Sequence, residues 1–88
     1  METGEKEEKS IRRNLYRVLR KTGVTRDNIC LTASFIEDLR FDKVDWTIFT
    51  YYLERMFNIS VIDDELQKLG NVNDTLRYLR SEMLYVRT

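Results

Sequence analysis

Apolar residues return along this chain at helical intervals, in blocks divided by polar, turn-forming stretches. Ile11, Leu15, Val18 and Leu19 have the i, i+4, i+7, i+8 spacing of an amphipathic helix. Ser10 can cap it and Gly23 can stop it, which predicts a helix over 10–22. Residues 1–9 are charged and poor in hydrophobic residues, and read as a mobile lead-in to a domain over 10–88. Segment 24–32 lacks a helical period and contains Asp27-Asn28, a turn-favouring pair. Its Val24, Ile29 and Leu31 are expected to pin a long first loop to the core.

Ser34 and Glu37 then form a capping-box pattern, predicting one short turn over 35–39. Asp42 is placed to cap a helix over 43–57, with Asp45 near the positive end of its dipole and Asn58 ending it. The run Ile59-Ser60-Val61-Ile62 could pass for a strand, but it has no partner run and reads as a loop buried against the helices. Asp63 should cap a short helix over 64–69, closed by Gly70. Asn71 should cap a last helix with Val72, Leu76, Leu79 and Met83 on one face. The expected fold is all-α: a four-helix bundle with a short third helix and a long first loop.

The helix over 43–57 is apolar on two sides. At about 100° per residue, Trp46, Phe49, Leu53 and Phe57 gather on one face, which should meet the core. Val44, Ile48, Tyr51 and Tyr52 gather on another, with Arg55 among them. Lys43, Thr47, Thr50 and Glu54 lie between. A surface helix needs only one apolar stripe. The second is expected to bind a protein partner or a second copy of the chain, because tyrosine, arginine and aliphatic residues with few charges resemble interface centres. In the alternative, the third helix, the 59–62 loop or the lead-in covers it.

Composition narrows the chemistry. Lys plus Arg number 15 and Asp plus Glu 15, so no global field draws the chain to nucleic acid or to an anionic membrane. Histidine is absent, which removes the commonest general base and metal ligand. The single cysteine, Cys30, excludes an internal disulfide and any cysteine-built zinc site, and is expected to be a buried or half-buried thiol. Asp63, Asp64 and Glu65 lack EF-hand spacing and read as acids at a helix start. No apolar run reaches the roughly 20 residues of a membrane span. The first residues lack a signal peptide's apolar segment, so a soluble, cytoplasmic protein is expected. A stand-alone enzyme is not.

Several of these residues together resemble acyl carrier proteins, without a gap from Ala33 to Arg80. They are Ala33-Ser34-Phe35 with Glu37-Asp38-Leu39, then Asp42, Leu53 and Phe57, the acidic Asp63-Asp64-Glu65, and Val72, Tyr78 and Leu79. Gly23-Val24 fits as well. The resemblance implies an antiparallel four-helix bundle of carrier type. In that family an Asp-Ser-Leu sequence precedes the second helix, and its serine takes the 4′-phosphopantetheine arm that carries acyl groups. Here those positions read Asp42-Lys43-Val44. Lysine has no hydroxyl to form the phosphodiester, and Ser10, Ser34, Ser60 and Ser81 lie elsewhere. The family's second helix also usually offers several carboxylates to partner enzymes, whereas here it keeps only Asp45 and Glu54.

The resemblance with this departure leads to an expectation of a non-catalytic interaction or regulatory module, without a cofactor. Lys43, Val44, Ile48, Tyr51, Tyr52 and Arg55 would be the partner-binding residues. The partner implied by resemblance is an enzyme of lipid or polyketide biosynthesis. The alternative is a working carrier with an unconventional attachment. Arg12, Arg13, Arg17, Arg20 and Lys21 on the first helix could grip phosphates. They are read instead as a solvated face paired with the domain's own acids, including those of the lead-in, so nucleic acid is not an expected partner.

Overall fold

The computed structural model describes residues 3–86. They form four helices, α1 (Thr3–Thr22), α2 (Lys43–Phe57), α3 (Asp63–Gln67) and α4 (Val72–Val86), with a 3-10 turn at Arg26–Asn28 in the long α1–α2 loop. This is the all-α, four-helix arrangement the apolar periodicity predicts. α1 packs mainly on α2 and also on α4, while α3 touches α2. Among the described residues no helix is long and apolar enough to cross a membrane.

The described core contains the residues predicted on the helix faces, joined by Ala33, Phe35, Phe41 and Leu66, which the periodicity does not mark. Ile11, Leu15, Val18 and Leu19 of α1 meet Trp46, Phe49, Leu53 and Phe57 of α2, with Leu66, Val72, Leu76 and Leu79 closing the far side. Met83, expected on that face of α4, has a side chain outside the described residues. At the centre, Phe35 contacts Phe41, Trp46 and Phe49 with ring centroids 5.2, 4.9 and 5.5 Å away, all tilted. Tilted and edge-on pairs set positive ring edges against negative faces, adding about 0.5–1.5 kcal/mol each to the apolar burial.

Local chemistry terminates the helices. Gly23 takes φ +115°, which opens a Schellman motif: its N–H donates to the Arg20 carbonyl and that of Val24 to the Leu19 carbonyl, each at 3.0 Å. Asn58 is left-handed at φ 55°, ψ 49°, and its N–H donates to the Glu54 carbonyl. The Asn71 side chain accepts from the Asp74 N–H at 2.9 Å, and Asp74 Oδ2 accepts from the N–H groups of Asn71 and Gly70. The α1–α2 loop is stitched to this end of α4. Phe35 N–H donates to the Gly70 carbonyl, Val72 N–H to that of Ala33 and Asn73 N–H to that of Leu31.

Five expectations are corrected. α1 begins at Thr3, not Ser10, so a helical backbone replaces most of the expected lead-in; glutamate and lysine are good helix formers and nothing there but Gly4 opposes them. α3 runs from Asp63 to Gln67, with Ile62 rather than Asp63 at the N-cap and no side-chain cap bond; the side chain of Asp63 lies outside the described residues. The 35–39 segment is the expected turn, but its reciprocal acceptor is not the expected Glu37. Ser34 Oγ accepts from Glu37 N–H as expected, but Asp38 returns the bond, with Oδ2 2.7 Å from the Ser34 nitrogen. Ile62 is 59% exposed, although Ile59 and Val61 pack on the core. Cys30 is exposed, with Sγ 3.6 Å from Thr32 Oγ1. The last two share one cause. In both segments neighbouring side chains, Ile29 with Leu31 and Ile59 with Val61, hold the places packed on the core; Cys30 opens a turn in which its carbonyl accepts from the Ala33 N–H at 3.1 Å.

Candidate functional site

The start and outer face of α2 form the best-built surface in the bundle. Residues 40–42 set its position. Arg40 adopts the left-handed conformation at φ 55°, unusual for a side chain with a Cβ. The reversal sends Phe41 inward, where its N–H donates to the Phe35 carbonyl at 2.9 Å and its ring joins the aromatic centre. Asp42 then caps the helix. Its Oδ1 accepts from the Asp45 N–H at 2.9 Å, and Asp45 Oδ2 accepts from the Asp42 N–H at 3.1 Å, a full capping box. Lys43 is the first residue of α2 and exposed. The aromatic anchor on one side and the capping box on the other fix its backbone.

The outer stripe divides by exposure. Val44 is 63% and Tyr51 53% exposed, and Arg55 is exposed, whereas Ile48 and Tyr52 are half-buried. Nothing among the described residues covers Val44 or Tyr51. The two tyrosine rings meet edge-on at 5.4 Å. The Arg55 guanidinium lies 5.5 Å from the Tyr51 ring centre, and the Lys21 ammonium of α1 lies 5.6 Å from that of Tyr52. Each cation is within reach of the negative face of a ring. The outer surface is therefore an aromatic pair flanked by two cations.

Lys21 and Glu54 make contacts here that the sequence pattern does not show, and two exposed aliphatic residues lie outside the predicted stripe. Lys21 was assigned to the basic face of α1; its contact with Tyr52 joins two helices and leaves no local trace. Ile36, 64% exposed in the turn before α2, is a further exposed aliphatic, as is Ile62. Glu54, in the polar strip of α2, is engaged within the fold, with its Oε2 accepting from the Val61 N–H at 2.9 Å. The basic α1 face is exposed, as expected of a solvated face. Among the described residues no ion pair joins Arg13 or Arg20 to a carboxylate, and the lead-in side chains that might have done so lie outside them.

A concavity of about 670 Å³ runs beside α4, lined by Leu69, Asp74, Arg77, Tyr78, Arg80, Ser81 and Glu82. Asp74 is committed there to the α4 cap. Tyr78 has its pKa raised above the usual 10.0, first by burial and then by Glu82, Glu65 and Glu54, against a backbone hydrogen bond at Ile62. A neutral phenol between carboxylates is not a general base at neutral pH.

No family model matches the chain. Two curated proteins align with it over 65 residues, which is 74% of this chain and 86% of each relative. The acyl carrier protein of Nitratidesulfovibrio vulgaris (strain DSM 19637 / Miyazaki F) is 32% identical and that of strain DP4 is 31% identical.

Proposed function

The chain belongs to the acyl carrier protein family, and from that membership we propose a carrier-type helical module without covalent cargo that acts by docking a protein partner through α2. The observation that carries this reading is Lys43 at the first position of α2, held where the family resemblance puts the arm-bearing serine. A lysine amine cannot take the place of a hydroxyl in a phosphodiester, so no 4′-phosphopantetheine is attached and no thioester forms. The module is not an enzyme.

Its work is recognition. Ile48 and Tyr51 supply the buried contact area, Val44 and Tyr52 flank them, and Lys43 and Arg55 set polarity and orientation. The exposure of Val44 and Tyr51 supports this, because large apolar side chains left open beside an aromatic pair mark contact surfaces. Glu54, already bound to the Val61 amide, is not free to act as a docking carboxylate, so recognition rests on apolar and cationic groups. Family membership favours an enzyme of lipid or polyketide biosynthesis as the partner, in the cytoplasm.

Two measurements test the reading. Intact mass after incubation with a phosphopantetheinyl transferase and coenzyme A should be unchanged; an added arm would establish a carrier with an unconventional attachment. In an affinity pull-down from native cells, a partner should be retained by the wild type and lost by Ile48→Glu/Tyr51→Glu, with far-UV circular dichroism unchanged. Equal capture by both proteins would place the docking face elsewhere.

A further inference from the structure

A second concavity stands apart from α2's outer face. Arg13, Tyr16 and Arg20 of α1 and Arg26 and Ile29 of the 3-10 segment line about 290 Å³. Tyr16 and Ile29 are partly buried against the core and make a firm apolar floor. Arg26 is held over it by the turn, where its carbonyl accepts from the Ile29 N–H at 3.2 Å.

The described stretch of chain around this concavity is strongly basic, with Asp27, beside Arg26, as its nearest acid in sequence. From Lys9 to Arg26 the chain has seven basic residues and no acidic one. Along α1, Arg13 and Arg17 are four apart, Arg17 and Arg20 three apart, and Arg17 and Lys21 four apart. Each is a like-charge spacing that works against the helix. No carboxylate stands three or four positions from Arg13, Arg17 or Arg20 to offset it. Among the described residues no ion pair engages Arg13, Arg20 or Arg26. In a chain whose charges balance overall, three guanidinium groups with no ion pair among the described residues, set around an apolar floor, are a local excess that an anion would neutralise.

We propose that this concavity binds a small phosphate ester, with its phosphates on Arg13, Arg20 and Arg26 and its apolar or aromatic part against Tyr16 and Ile29. Guanidinium groups suit phosphate because their planar fork donates two parallel hydrogen bonds to its oxygens. A diphosphate ester, with about three negative charges near neutral pH, balances three arginines. The volume is at the lower end for small-ligand pockets and fits one compact ester. A half-open concavity with an apolar floor favours such a ligand over the running backbone of a nucleic acid, and α1 carries no groove-reading motif.

The test titrates the full chain at low salt with pyrophosphate, with ADP and with a twelve-residue oligothymidylate, following backbone amide signals by NMR. Saturable ADP binding is expected, with the shifts centred on Arg13, Tyr16, Arg20, Arg26 and Ile29 and pyrophosphate weaker. Arg20→Gln/Arg26→Gln should weaken ADP at least about tenfold, since each lost contact is charge-assisted. Lys68→Gln/Arg77→Gln, which removes the same charge elsewhere, should leave it unchanged. The proposal is overturned if neither small probe saturates at millimolar concentration, if both double variants weaken binding equally, or if the oligonucleotide binds far more tightly with a steeper salt dependence. The first two results exclude a built site, and the third makes α1 a nucleic-acid surface.

Discussion

The inner and outer faces of α2 each carry aromatic residues, yet the fold treats them in opposite ways. On the inner face Trp46 and Phe49 lock into a four-ring cluster with Phe35 and Phe41, away from water. On the outer face Tyr51 and Tyr52 touch each other and two cations, and Tyr51 is half open to solvent. Ring-to-ring contact alone therefore does not make a core. What separates the faces is the partner at the ring's edge, hydrocarbon inside and charge outside, and only the outer face can exchange its partner without unfolding the bundle.

Substitution should break the two faces differently. Phe49→Ala removes a fully buried ring from the centre of the cluster and should cost about 3–5 kcal/mol, read as a large fall in the denaturant midpoint. Asp42→Ala removes one half of the capping box that starts both faces and should cost about 0.5–2 kcal/mol. The effect should survive high salt in part, since a hydrogen bond is lost as well as a charge. Tyr51→Ala should change stability by no more than about 0.5 kcal/mol, as exposed positions do, while removing most partner capture. A large stability loss from Tyr51→Ala would erase the distinction between the faces and make the outer stripe structural.

The inner face was legible in the sequence because its signals are local and periodic. Trp46, Phe49, Leu53 and Phe57 repeat at helical spacing, and Asp42 and Asn58 bracket them with chemistry that acts within a turn. The outer stripe was legible as a pattern but not in its degree of exposure, which depends on where α3 and the 59–62 loop run. The contact between Lys21 and Tyr52 was invisible because it joins residues distant in sequence. Cys30 and Ile62 were misplaced because their neighbours, Ile29 and Leu31, and Ile59 and Val61, take the places packed on the core. At Ser34 the pattern named Glu37 as the reciprocal acceptor, but the tight turn brings Asp38 to the Ser34 amide instead. The start of α1 was misread because a charged, polar segment says little about backbone when its residues favour helix. The arginine concavity was legible as a run of cations, but only the path of the 3-10 turn brings Arg26 over Tyr16.

A tyrosine on neither face sharpens the comparison. The outer tyrosines of α2 meet cations, whereas Tyr78 on α4 is half-buried, with Glu82, Glu65 and Glu54 as its charged neighbours. Burial and these carboxylates disfavour the phenolate, so the folded chain holds this proton above pH 10.0 and the unfolded chain releases it first. The stability tied to the neutral phenol is therefore whole below pH 10 and is lost as pH rises through the folded value. Tyr78→Phe deletes that titration while keeping the ring. Denaturant midpoints measured at pH 9, 10 and 11 should fall less for Tyr78→Phe than for the wild type, with the two proteins close at pH 7. Parallel declines for wild type and Tyr78→Phe would mean that the carboxylates around Tyr78 are too well hydrated to act on it.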